Sequence, residues 1–171
     1  MKNFNWPIKV FFITFLLAAI FSGATNLIAN FHIVALSIIM LLVIFVGIIF
    51  DMIGIAALTS KKENFHAMAA KKIKGSKEAI NLLNKSTSVA TICNDVVGDI
   101  CGIISGGFGA VLSIAISENL DMSLVISTIL VTSFISALTV SGKAFGKIYA
   151  TKNADNIIFR VAKVKKLFSF R

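Results

Sequence analysis

No lysine or arginine occurs between Lys85 and Lys143, and the 171 residues include a single proline. Charged residues make up only 15% of the chain while 57% are hydrophobic. A soluble domain carries charge on about a quarter of its residues, so this composition excludes one. Histidine and cysteine are scarce as well. His32 and His66 have no Cys or His neighbour at ligand spacing, and both read as ordinary interfacial residues. Cys93 and Cys101 stand eight apart, roughly 12 Å along a helix, which is too far to bridge without unwinding it. They read as small apolar packing residues and give no zinc-type pattern. There is no HExxH, no Ser/His/Asp set and no GxxxxGK[ST]. Hydrolytic, metallopeptidase and nucleotide-hydrolysing chemistry is therefore unsupported, and the chain is not expected to be an enzyme.

What the chain has instead is apolar runs. A span needs about 20 apolar residues, and four stretches qualify, at about 8–29, 33–58, 89–116 and 122–140. The fold class expected is an all-α membrane protein with about four transmembrane helices plus cytoplasmic amphipathic helices. The first stretch has a second reading. Lys2, the run 10–20 and Ser22-Gly23-Ala24 have the layout of a signal peptide cleaved after Ala24.

Charge sets the orientation. Of the 17 basic residues, Lys2 and Lys9 flank the first span, seven lie in the 60–88 loop and eight follow Ser141. The loop around 117–121 carries only Glu118 and Asp121. Both termini and the 60–88 loop are thus expected in the cytoplasm of a multi-pass cell-membrane protein. The net charge of +9 is explained by topology and by a bilayer whose inner leaflet is anionic. No nucleic-acid partner is expected.

In the 60–88 loop, Phe65, Met68, Ala69 and Ile73, then Ala79, Leu82 and Leu83, recur at helical spacing around Lys74-Gly75-Ser76. The spacing predicts two short amphipathic helices against the cytoplasmic membrane face. The tail reads as a further amphipathic helix, with Ile157, Val161, Val164 and Phe168 on its apolar stripe. It would dock on the inner leaflet or on the ends of the spans.

The third span carries two signals. Asn94, Gly98, Gly102, Gly106 and Ala110 fall every fourth residue, a small-residue stripe that predicts close helix packing. Beside it lie Asn94, Asp95 and Asp99. Asp95 and Asp99 share one helix face, and Asp51 interrupts the second span. A carboxylate at membrane depth costs roughly 2.5 kcal/mol or more and usually faces a partner, a cavity or an ion path. With no base nearby, either a cation supplies the missing partner or the acids pair with one another, with Asn94 or with backbone. At about 1.5 Å per residue the three acids share the cytoplasmic half of the membrane. Oxygen ligands of this kind suit a hard cation such as Mg²⁺. Asn94, Asp95, Asp99 and Asp51 are the candidate metal ligands, with Ser22, Ser105 and Thr91 as lesser ones.

Three segments together resemble the transmembrane domain of the cyclin-M/CorC (CorB) magnesium transport family. Ala57-Leu58-Thr59-Ser60, followed by Lys77-Glu78-Ala79-Ile80-Asn81-Leu82-Leu83, is similar to its E-T-A-L-x-S … K-x-A-x-x-L-L run. Cys93-Asn94-Asp95-Val96-Val97 resembles its G-N-N-L-V segment. Gly142-Lys143-Ala144-Phe145-Gly146-Lys147, with Ala150 and Asn153-Ala154-Asp155, resembles G-E-x-x-P-K … A … N-A-E. On this resemblance residues 31–171 form such a domain, with the amphipathic loop 60–88 and a juxtamembrane tail 143–171, and residues 1–30 add an N-terminal helix. It implies a carrier of Mg²⁺ or Co²⁺ and a homodimer. Asn94 carries over as a family ligand position, and Gly142 and Lys147 as structural ones. Ile55 stands where the family has its first Glu, Lys143 replaces an acid and Gly146 a Pro. The family's pair of regulatory CBS modules is expected to be missing. These departures keep a second reading open: a scaffold or accessory subunit that retains the fold without transport.

Overall fold

The computed structural model describes residues 5–27 and 32–168, with side chains of the first helix given at 8, 11–21 and 23, and those of the last through 167. All regular structure among them is helical. The elements are α1 (Asn5–Leu27), α2 (Ile33–Thr59), α3 (Lys62–Ala70), α4 (Ser76–Leu83), α5 (Ser86–Ala90), a π-helix (Thr91–Gly98), α6 (Asp99–Asn119), α7 (Leu124–Lys152) and α8 (Ala154–Phe168). Three stretches are long and apolar enough to cross a membrane: Ile33–Thr59, the continuous run Ser86–Asn119, and Leu124–Lys152. That is one fewer than the sequence predicts. α1 has 23 residues, the length of a crossing, and Phe11–Phe21 is its described apolar segment. The expected roles of Ser22 and of a cleavage at Ala24 lie outside the described side chains.

Within the three long stretches only 22%, 39% and 17% of the most apolar windows is buried. Val34, Ile38, Leu42 and Phe45 on α2, and Val125, Ile129 and Phe134 on α7, all point outward. Apolar faces of this extent are not left to water by soluble monomers.

The chain divides into two compact units. The first comprises Met1–Gly47 with Gly98–Gly142, the second Ile48–Val97 with Lys143–Arg171. In the first unit α1 packs on α6, and Leu36, Met40 and Ile44 form a buried stripe of α2. Two glycines set the helix spacing. A Cβ on Gly109 would lie 2.5 Å from Ile135 Cδ1 of α7, and one on Gly47 would lie 2.9 Å from Cys101 Cβ of α6. Ser113 Oγ donates to the Gly109 carbonyl of its own helix at 2.7 Å, whereas the buried Ser127 Oγ has no partner among the described residues.

In the second unit a small core forms around Phe65. It contains Ala56 and Ala57 from the last turns of α2, Ala79 and Leu83 from α4, and Ala154, Ile158 and Ala162 from α8. The two loop helices and the tail helix therefore turn apolar stripes toward one another and toward the end of α2. The buried stripe of α8 is not the one that hydropathy picks out. Ala154, Ile158 and Ala162 are buried while Val164 is 52% exposed, because alanines let α8 approach more closely than its larger β-branched residues would. Asp155 ties the α2–α3 junction to α8: its carboxylate accepts from the Lys61 amide at 3.2 Å and from Asn64 Nδ2. Gly75, at φ 97°, ends the α3–α4 turn in a left-handed conformation that favours glycine. Lys166 and Glu78 pair loosely at 3.8 Å.

Candidate functional site

The run Ser86–Asn119 has two helical windings. After α5 it widens into the eight-residue π-helix Thr91–Gly98 and tightens again into α6. π-Helical segments are rare and concentrate at functional sites. The wider winding shifts the phase of the helix. Cys93 and Gly98, five apart, are both buried, after which Cys101, Ser105, Phe108 and Leu112 follow at three and four.

The change of phase redistributes the residues singled out by sequence. Asn94 and Asp51 are partly buried, whereas Asp95 and Asp99 are exposed on the protein's surface. Asp51, Asn94 and Asp95 belong to the second unit and Asp99 to the first. The described residues contain no set of three or more His, Cys, Asp or Glu able to hold a metal ion. Among them none of the three acids has an ion pair, and none bonds to Asn94 or to another acid. The fold of one copy thus leaves Asp95 and Asp99 on its outside, while Asp51 and Asn94 are partly buried.

Asn94 is one of four described residues with a buried side-chain oxygen that lacks a partner, the others being Ser60, Ser127 and Thr139, and it is the one amide among them. Its Oδ1 is fully buried and has no hydrogen-bond partner among the described residues. The carboxamide lies against Gly54 of α2 so closely that a methyl group there would overlap it, with Asn94 Nδ2 3.0 Å from the position of a Cβ. Gly54 is thus the residue that makes room for Asn94. Sequence reasoning passed over it, although Gly47 and Gly54 stand seven apart on α2, which places both on one face. A buried amide oxygen without a partner costs about 1–3 kcal/mol, so its retention calls for a ligand or a function.

The lesser candidates fare differently. Ser105 is buried, with its Oγ donating to the Gly102 carbonyl at 2.9 Å, so its hydroxyl is already engaged. Thr91 opens the π-helix and is partly buried. Along the glycine stripe, no described residue lies within 4 Å of a Cβ placed on Gly102 or Gly106. Both border a cavity of about 310 Å³ that α6 shares with Thr132, Ser136 and Thr139 of α7.

The three segments behind the cyclin-M/CorC resemblance map to the end of α2 with α4, to the π-helix, and to the second half of α7 with the start of α8. Apart from Gly142 they all lie in the second unit. Where the family has Pro, Gly146 lets α7 meet α2: a Cβ there would be 2.9 Å from Met52 Cγ. Ile55, where the family has Glu, is buried. Comparison with protein-family models, curated proteins and solved structures gives no match.

Proposed function

We propose that the chain is a multi-pass membrane protein of the cyclin-M/CorC type, with both termini cytoplasmic, that binds or moves a divalent cation, Mg²⁺ or Co²⁺, as its cargo. The observation that carries this reading is the buried, unpartnered Oδ1 of Asn94 in the π-helix. An amide oxygen is a hard neutral donor suited to Mg²⁺, which keeps several waters and takes few protein ligands. A sparse ligand set also favours passage over retention, because an ion held by many carboxylates would not leave. Asp51 and Asp95, in the same unit as Asn94, supply negative charge for the approach of a cation. The basic 60–88 loop and tail then face the anionic leaflet. Titration of the purified protein with Mg²⁺ by calorimetry tests the reading, and a flat titration of the wild type counts against it.

A second reading has its own support. Gly102 and Gly106 have open space beside them, and the cavity they border carries the hydroxyls of Thr132 and Ser136. Small residues with nearby hydroxyls are the surface on which membrane helices associate. A scaffold or accessory subunit, associating with itself as a homodimer or with another spanning helix, would use this face. Loss of oligomer mass in Gly102→Leu together with a flat Mg²⁺ titration would favour it.

A further inference from the structure

The second unit contains a groove of about 270 Å³ between α2, α7 and α8. One wall is apolar and belongs to α2: Ile49, Met52 and Ile53. They lie six to ten residues before Thr59, the end of that helix, hence roughly 9–15 Å inside it at about 1.5 Å per residue. The polar lining comes from α7 and α8, with Tyr149, Asn153, Asn156 and Arg160, beside Ile157 and Val161 of α8. We infer that this groove holds one anionic phospholipid, its phosphate on Arg160 and Asn156 and its first acyl carbons along Ile49, Met52 and Ile53.

Arg160 is the chain's sole arginine among the described residues, the other basic side chains there being lysines. Its charge has no partner among the described residues. The one ion pair among the described residues joins Lys166 to Glu78, and nearby Asp155 is engaged by Lys61 and Asn64. Asp51, on the same helix as the apolar wall, does not line the groove. A guanidinium presents a planar fork that matches phosphate oxygens in a way an ammonium does not. Asn156 is one helical turn from Arg160, so both side chains serve one anion. Asn153 is less available, since its amide donates to the Tyr149 carbonyl at 3.3 Å. Tyr149 is 56% exposed, the placement of an interfacial aromatic ring. The apolar wall is what selects a lipid over a free phosphate, because a soluble anion gains nothing from Ile49 or Ile53.

This inference rests on α2 being a membrane span and is independent of any cation path. Carbonate extraction tests the span by itself, and release of the full-length protein would overturn both. For the site, native mass spectrometry of the detergent-purified chain is run with phosphatidylglycerol, phosphatidylcholine and inorganic phosphate. Wild type should retain phosphatidylglycerol about tenfold over phosphatidylcholine, the scale of one charge-assisted contact. Arg160→Gln should abolish that preference and Arg160→Lys should recover only part of it. Ile49→Trp, which fills the apolar end and leaves Arg160 in place, should also lose the lipid. Lys62→Gln, on exposed α3, should behave as wild type. Equal retention of the two lipids by wild type, an unchanged preference in Arg160→Gln, or inorganic phosphate competing as well as the lipid would each overturn the assignment.

Discussion

Gly54 of α2 and Asn94 of the π-helix are interlocked: the glycine has no side chain because the asparagine carboxamide occupies that space. The asparagine in turn holds a buried oxygen that no described group satisfies. The pair couples a packing constraint to a buried amide oxygen of the second unit.

The coupling predicts a non-additive mutant series. Gly54→Ala should destabilise the protein by about 1–3 kcal/mol through overpacking. Asn94→Ala in the same chain should restore much of that loss, giving an interaction energy of about 0.5 kcal/mol or more. Denaturation of the two single mutants and the double mutant measures it, and strict additivity would separate the two residues.

How far the sequence anticipates this arrangement depends on periodicity. The three long apolar helices are legible because runs of about 20 apolar residues have no other use. The bundle around Phe65 is partly legible, with Phe65, Ala79 and Leu83 read at helical spacing. The α8 register is not, because Ala154 and Ala162 carry little hydropathy yet sit at the closest approach. The π-helix is invisible to a 3.6-residue template. For that reason Asn94, Gly98 and Gly102 read as one stripe, whereas Gly98 is buried and Gly102 exposed.

Among the glycines of α6, Gly109 and Gly102 should therefore behave oppositely. Gly109→Leu meets Ile135 and should unfold the first unit or cost about 1–3 kcal/mol. Gly102→Leu meets no described residue within 4 Å and should leave the stability of a single copy within about 0.5 kcal/mol. Thermal melts with parallel mass measurement decide both, since a change confined to oligomer mass places Gly102 at an interface between chains.

Phe65 is fully buried at the centre of the helical bundle of the second unit. Phe65→Ala should cost about 3–5 kcal/mol. The damage should appear as faster proteolysis within 60–85 before the apolar helices are lost. Simultaneous loss of all helical signal would contradict a separately cooperative bundle.

The proposed orientation puts the seven bases of the 60–88 loop and the eight that follow Ser141 on the cytoplasmic side. A cysteine at Glu118 should react with an impermeant maleimide on intact cells. One at Lys62 should react only after permeabilisation. Reaction at Lys62 in intact cells would invert the topology.

The cation reading is tested most directly by thermal stability in Mg²⁺ and in chelator for wild type and Asn94→Ala. Binding to the folded state alone stabilises by RT ln(1 + [L]/Kd), about 2.7 kcal/mol at a concentration 100 times Kd. Wild type should gain a Mg²⁺-dependent rise in melting temperature. Asn94→Ala should lose that rise while remaining at least as stable as wild type in chelator, because it removes an unsatisfied buried oxygen. A wild type indifferent to Mg²⁺, or a mutant equally destabilised in Mg²⁺ and in chelator, would contradict the account and reduce Asn94 to a packing element.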